Sequence, residues 1–316
     1  MADNSPPTIL AADAAAIIRA AGVLRGGGLV AVPTETVYGL AARADSDAAV
    51  AAIFHAKGRP DFNPLIVHVS DLAQARLLAE LDGRATALAA RFWPGALTLV
   101  STKRADAPLA AAVTAGLPTV ALRCPAHPVM RALIAETGLP LAAPSANRSG
   151  AVSPTSAAHV AASLGGSIGL ILDGGSCAAG IESTILALRE KAGWQVLRPG
   201  PVTVSQISAI LGEENEVLTP SAALEAPGQL ASHYAPGKPL RLGASCAEPD
   251  EFHIGFGLVA GDVTLSAAGD LAEAAAQLYA ALHQAEAAAK PRIAVAPIPD
   301  AGIGSAINDR LRRAAA

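Results

Sequence analysis

The chain has 316 residues, longer than a typical single domain, which predicts one large domain with a smaller companion. Its formal net charge of -4 at pH 7 argues against a broad basic face for nucleic acid and leaves room only for a local basic pocket. Hydrophobic residues make up 52% of the chain and aromatics only 3%, so the core must be built from Ala, Val, Leu and Ile.

The three cysteines, Cys124, Cys177 and Cys246, lie far apart and form none of the close pairs that structural zinc sites use, so they read as buried or unreactive thiols. The opening MADNSPPTIL has no basic n-region, and no segment reaches the ~18 uninterrupted apolar residues of a membrane span. A soluble cytoplasmic protein with no membrane contact is expected.

In chain order, residues 11 to 25 place Ile17, Ile18, Ala21 and Leu24 at helical spacing and stop at Gly26-Gly27-Gly28. LVAV (29 to 32) reads as a buried strand broken by Pro33, and TETVYG as a polar loop. Asp45 or Ser46 is placed to cap a helix through about Ala56, and PLIVHV (64 to 69) is the next strand. Two helical stretches occupy 72 to 92. Strand-like runs then recur at ALTLV, TVALR, PLAA, IGLIL, STILAL and WQVLR, with helices near 127 to 136 and 155 to 163. The alternation is α/β, and several strands follow one another without a helix, so a twisted mixed sheet with flanking helices is predicted.

A helix at 203 to 212 closes the first domain (1–212). Residues 213–238 have low periodicity and three prolines, and read as a linker. PLRLG, HIGFGLV and IAVAPI with a long helix at 270 to 289 predict a small C-terminal α/β domain (239–316).

Five clusters carry chemistry. In KGRPDFNPLIVHV an extended reading puts Lys57 and Arg59 on one face, two cations for one polyanion such as a triphosphate; a solvated basic turn is the plainer alternative. PTETVYGL sets Thr34, Thr36 and Tyr38 after a strand, where open α/β sheets hold ligands, and leaves Glu35 as a surface charge with no catalytic role. Arg123 ends a strand in TVALRCPAHP; its guanidinium suits an amino acid's carboxylate, with a structural salt bridge as the competing role. LAAPSANRSGAVSPTS offers Ser145, Asn147, Ser149, Ser153 and Thr155 on a turn into a helix, where Ser153 or Thr155 would serve as N-cap. IESTIL holds Ser183, WQVLRPG holds Arg198 as a third cation, and SHYAPG holds His233 and Tyr234 in the linker, where they would act as a lid rather than as core. No P-loop or H-E-x-x-H occurs, and GIGSAIN lacks the third glycine of a dinucleotide fingerprint.

Taken in order, PTETVYGL, KGRPDFNPLIVHV, TVALRCPAHP, PSANRSG, ESTIL and LRPG resemble the threonylcarbamoyl-AMP synthase family with the YrdC-like fold, in its longer two-domain form. The resemblance implies synthesis of threonylcarbamoyl-AMP and pyrophosphate from L-threonine, bicarbonate or CO2 and ATP, for N6-threonylcarbamoyladenosine in tRNA. It implies that Thr36, His68, Arg123, Ser145 and Ser183 bind L-threonine. Lys57, Arg59, Asn63, Thr119, Asn147, Thr155, Arg198 and Tyr234 would handle ATP, with Lys57 and Arg59 stabilising the reacting phosphate. It further implies Mg2+ held mainly by phosphates and water with no protein metal cage, a downstream transferase that passes the group to tRNA, and at most transient tRNA contact. A related domain of hydrogenase-maturation carbamoyltransferases makes carbamoyl-adenylate, but three scattered cysteines cannot supply the zinc fingers of those proteins. A non-catalytic RNA-binding module is disfavoured by net acidity and few aromatics.

Overall fold

The computed structural model of the chain describes residues 6–189, 193–212, 225–229 and 232–316. The large domain threads β1 (Thr8–Ala11), α1 (Ala14–Arg25), β2 (Val30–Val32), β3 (Gly39–Arg43), α2 (Asp47–Lys57) and β4 (Ile66–His68). There follow α3 (Leu72–Arg76), α4 (Gly83–Phe92), β5 (Leu97–Thr102), β6 (Thr119–Arg123), α5 (Pro128–Thr137) and β7 (Leu141–Ala142). It ends with α6 (Ala157–Leu164), β8 (Leu170–Asp173), β9 (Thr184–Leu188), β10 (Trp194–Arg198) and α7 (Val204–Leu211).

Local chemistry fixes the helix ends. Asp13 accepts from Ala16 N at 2.8 Å to start α1. Ser46 rather than Asp45 caps α2, because Asp45 makes a two-point ion pair with Arg43. Gly58, left-handed at φ 58°, ends α2 where a Cβ would be strained. Ser156 caps α6; the expected caps Ser153 and Thr155 instead turn their hydroxyls to Glu182 and His159.

Ten strands form one mixed sheet in the order β1-β8-β2-β3-β7-β4-β6-β5-β9-β10. β4 runs parallel to β6, and β5 antiparallel to β6 but parallel to β9. Alternation sends Val67 and Leu122 into a core with Val50 and Ile53 of α2. Their neighbours Ile66 and Ala121 face the other way, with Val100, Ile185 and Leu197, under Ala226 of the connecting segment. That second, concave face carries the site. β1 and β3 are strands that the sequence reading did not assign; GLAAR has no β-branched residue to announce it.

The second domain consists of β11 (Leu240–Leu242), β12 (Glu251–Gly255), β13 (Val263–Thr264), α8 (Leu271–Ala287), β14 (Arg292–Val295) and α9 (Gly304–Ala314). Its four strands are parallel, in the order β11-β14-β12-β13. β12 stops at Gly255, so the strand read through HIGFGLV breaks off in a turn, and GIGSAIN opens α9, a helix the sequence reading did not anticipate. The boundary between the domains is packed: Val37, Val152, Ile181 and Tyr234 share one apolar cluster with Leu278, Tyr279 and Leu282 of α8. α7 packs on the large sheet, with Ile207 against Trp194 and Leu88. The linker reading of 213–238 falls partly outside the described residues. Among the described residues no helix is long and apolar enough to cross a membrane.

Candidate active site

A cavity on the concave face gathers Thr36, Arg59, His68, Arg123, Ser145, Ser183, Arg198 and Tyr234 on its walls. Parallel pairing sets His68 opposite Arg123, at the C-terminal ends of β4 and β6. Arg123 is buried; its Nη1 donates to Thr36 Oγ1 at 2.9 Å and its Nε to Gly95 O at 3.1 Å. Its Nη2 lies 2.7 Å from Glu35 Oε1, an ion pair set off-line for a hydrogen bond. Glu35 is therefore not the surface charge expected from a hydroxyl-rich loop. Burial raises its pKa, but Arg123 and the Ala126 N–H outweigh that and hold the carboxyl below its usual range. His68, buried and beside Arg123, is pushed down to about 3 and is neutral at physiological pH. This end of the cavity thus holds one cation, one anion and a neutral imidazole.

Two further cations on the cavity wall, Arg59 and Arg198, make no carboxylate ion pair among the described residues. Arg59, buried, donates from Nε to Asn63 O at 3.3 Å and from Nη2 to Pro64 O at 2.9 Å. Arg198 donates from Nε and Nη2 to Ser183 O at 3.1 and 3.0 Å, from Nη2 to Ser183 Oγ at 3.2 Å and from Nη1 to Pro227 O at 3.3 Å. Burial presses Arg59 down to about 10, still protonated at neutral pH. Carbonyls orient these guanidiniums without cancelling their charge, which stays available to an arriving anion.

Lys57 does not stand beside Arg59 on an extended segment. It is the last residue of α2, separated from Arg59 by the left-handed Gly58, and its Nζ donates to Ser145 O at 2.6 Å and to Asn147 O. Burial, then the Arg59 charge, pulls the amine well below its ordinary pKa. Lys57 therefore supports the Ser145–Asn147 loop from behind and is not on the cavity wall. Asn147 lies in that same loop and donates from Nδ2 to Arg148 O and Ala151 O, both at 2.8 Å. Asn63 presents its carbonyl to Arg59. Thr155 turns to His159, and Thr119 opens β6 at the end away from Arg123. Lys57, Asn63, Thr119, Asn147 and Thr155 are thus close supports or neighbours, outside the walls.

Unpartnered polar atoms mark the site independently. Asn63 Oδ1, His68 Nδ1, Asn147 Oδ1, His233 Nδ1 and Tyr234 OH are buried without a hydrogen-bond partner. Each such atom costs about 1–3 kcal/mol, and among the described residues only Ser101 Oγ falls in this class away from the site. His233 and Tyr234 are buried, 6% and 1% exposed, so they are packed into the wall rather than held as a loose lid. Gly228, at φ 87°, lets the preceding segment pass; a Cβ there would meet Tyr234 OH at 2.6 Å and Arg198 Cδ at 2.8 Å.

One functional residue escaped the sequence reading altogether. Glu182, beside Ser183 in ESTIL, lines the cavity from a buried position. Burial raises its pKa, but the Arg310 and Arg198 charges and the Ser153 hydroxyl bring it to about 2.

Residues 22–200 match the family described as "Telomere recombination", and residues 202–316 match the one described as "Threonylcarbamoyl-AMP synthase, C-terminal domain". The chain belongs to the threonylcarbamoyl-AMP synthase family. It is 42% identical to a Bacillus subtilis threonylcarbamoyl-AMP synthase over 95% of this chain and 92% of that one. A crystal structure of Pyrococcus abyssi Sua5 complexed with L-threonine superimposes with a TM-score of 0.87 at 38% identity, covering 95% of this chain and 94% of that one. A Pyrococcus abyssi Sua5 in which a histidine and the following tyrosine are both replaced by alanine gives a TM-score of 0.88 at 35% identity, over 98% of this chain and 96% of that one. The two family matches meet at 200–202, ahead of α7, although α7 packs on the large sheet. The α/β fold with a large mixed sheet and a second C-terminal sheet agrees with the Sua5 structures.

Proposed function

We propose that the chain joins L-threonine, bicarbonate or CO2 and ATP into threonylcarbamoyl-AMP, with release of pyrophosphate, and that the product serves modification of tRNA. The observation that carries this reading is the charge division of one cavity: Arg123 balanced by Glu35 beside neutral His68, against Arg59 and Arg198, which are hydrogen-bonded to carbonyls and make no carboxylate ion pair among the described residues. An amino-acid zwitterion fits the first end, its carboxylate at the Arg123 guanidinium beside Thr36 Oγ1. The polyphosphate fits the second. The threonine amine attacks CO2 to give a carbamate, losing one proton, and a carbamate oxygen then attacks the α-phosphorus of ATP as the bond to pyrophosphate breaks. Fixed cations where charge develops are the largest lever a protein has on such a step. His68 Nδ1, unpartnered and neutral, is suited to accept a hydrogen bond from the threonine ammonium and so to position it. Bicarbonate has no dedicated side chain in this reading.

Mg2+ would arrive with ATP. Among the described residues no three His, Cys, Asp or Glu side chains gather as a metal site, and the two carboxylates at the cavity, Glu182 on its wall and Glu35 behind Arg123, are held by arginines. The donor set therefore does not fit a resident ion, and the metal belongs to the substrate. A later transferase, acting on tRNA in the cytoplasm, would consume the adenylate; this chain's net charge of -4 favours at most a passing contact with tRNA.

The test is pyrophosphate release from ATP, measured with and without L-threonine and bicarbonate. Release that depends on threonine is expected. Release unmoved by threonine, or supported by carbamoyl phosphate in its place, would sink the reading.

A further inference from the structure

The small domain reaches into the site through Glu182. Three donors hold this buried carboxylate: Ser153 Oγ to Oε1 at 2.6 Å, Tyr279 OH of α8 to Oε2 at 2.9 Å, and Arg310 Nε of α9 to Oε2 at 2.7 Å. Arg310 is fully buried. Its Nη2 donates to Pro199 O at 2.9 Å, its Nη1 pairs with Asp309 at 2.7 Å, and its guanidinium lies 5.2 Å from the centre of the Tyr234 ring. The segment before Glu182 is pressed onto α8 so closely that a Cβ on Gly180 would come within 2.4 Å of Ala276 Cα. Such packing fixes the backbone that leads into Glu182, so its carboxylate is aimed by its three donors.

A carboxylate on the wall of a polyphosphate site is unfavourable in two ways. It repels the phosphates, and it competes for the cations meant for them. Arg198 lies within electrostatic reach of Glu182, yet among the described residues its hydrogen bonds go to Ser183 and Pro227. Glu182 is already satisfied from behind. Glu35 is neutralised by Arg123 from within the large domain, whereas Glu182 is neutralised by side chains of the second domain.

We propose that Arg310 and Tyr279 are positioning residues for ATP: they take up the charge of Glu182 and so keep Arg198 directed at the polyphosphate. The second domain thereby completes the nucleotide end of the site. This inference rests on the synthase reading for the identity of the nucleotide, and its test separates the two.

The experiment uses the full chain, with ATP affinity read by calorimetry, KM values from pyrophosphate release, and thermal midpoints. With Arg310→Met, Glu182 turns to Arg198, and ATP binding is expected to weaken roughly tenfold while the threonine KM stays within about threefold. Adding Glu182→Gln to Arg310→Met removes the competing charge and should return ATP affinity to within about threefold of the parent chain. A double variant as weak as the single one overturns the proposal. So does a single variant in which both KM values rise together, which is a general distortion of the site, or in which kcat alone falls, which is what mere loss of folded protein would give. If Arg310→Met does not fold, Tyr279→Phe removes one donor to Glu182 without touching charge. It should raise the ATP KM about threefold, and an unchanged KM refutes the proposal. A parent chain that binds ATP but shows no threonine-stimulated release sinks the synthase reading and leaves the calorimetric test of Arg310 intact. A parent chain that binds no ATP sinks both.

Discussion

The two ends of the cavity are built from the same residue type to opposite purposes. At one end Arg123 meets Glu35 at 2.7 Å and the local charge is close to zero. At the other, Arg59 and Arg198 are held by the carbonyls of Asn63, Pro64, Ser183 and Pro227, and keep their charge. An arginine's role thus depends on what its other N–H groups touch. Paired with a carboxylate it becomes a shaped donor for a zwitterion, and held by carbonyls it becomes a site for a polyanion. Both arrangements cost desolvation, and on the proposed reading the charged end would recover it when phosphate binds.

Exchanging the two arginines for alanine is the strongest attempt to break this division. Arg59→Ala should lower kcat/KM by roughly a hundredfold or more, chiefly through ATP, because it removes a fixed charge beside the reacting phosphates. Arg123→Ala should raise the threonine KM by about tenfold or more and the ATP KM far less, and it should also lower the thermal midpoint, since the half-buried Glu35 loses its countercharge and keeps only the Ala126 N–H. Steady-state kinetics with each substrate varied in turn decides the matter. Equal losses for both substrates in both variants would mean that the ends are not separate.

A smaller effect concerns the neutrality of the threonine end. His68 and His233 are held near 3 by burial, below the value of about 6.5 they have in the unfolded chain. The unfolded chain therefore binds protons that the folded chain refuses between about pH 6.5 and 3. Stability is full above that window and falls as pH drops through it, by up to roughly 1.4 kcal/mol per pH unit for each group. Glu182, with its carboxyl near 2, adds a loss only below about 4.5. His159, held at about 4, contributes in the histidine window too. The thermal midpoint should thus decline from pH 7 to pH 5, and His68→Gln should make that decline shallower. An unchanged slope in this variant would show that His68 carries a proton in the fold, so that the threonine end is not neutral.

Much of this was legible in the sequence where chemistry is local. Gly26-Gly27-Gly28, Ser46 and the apolar runs at 29 to 32 and 64 to 69 announce α1, α2, β2 and β4 without help from distant residues. Arg123 and Arg198 at strand ends were readable for the same reason. Pairings between distant residues were not. Glu35 looks like a surface charge until β6 brings Arg123 beside it, and Glu182 has no local partner at all; its partners come from residues 153, 279 and 310. One signal was available: Ile303, Ala306, Ile307, Arg310, Leu311 and Ala314 follow helical spacing, and an arginine inside such a stripe asks for a buried anion. Lys57 was misplaced because a helix end and a left-handed glycine were read as extended chain.

The smallest predicted effect locates the far limit of the charged end. Alternation along β6 puts Thr119, Ala121 and Arg123 on one face, as it does Ile66 and His68 on β4, so Thr119 shares the concave face with the site. At about 3.3 Å per residue it stands roughly 13 Å along the strand from Arg123, near the level of Asn63 and Pro64. A nucleotide whose phosphates lie at Arg59 and whose base extends past Asn63 would reach it; threonine would not. Thr119→Val, which keeps the shape and removes the hydroxyl, should therefore raise the ATP KM by about threefold and leave the threonine KM unchanged. No change in either would put the base elsewhere, over the apolar floor of Val100, Ile185 and Leu197. A change in the threonine KM would mean that the two ends overlap along β6 and that the division of charge does not divide the substrates.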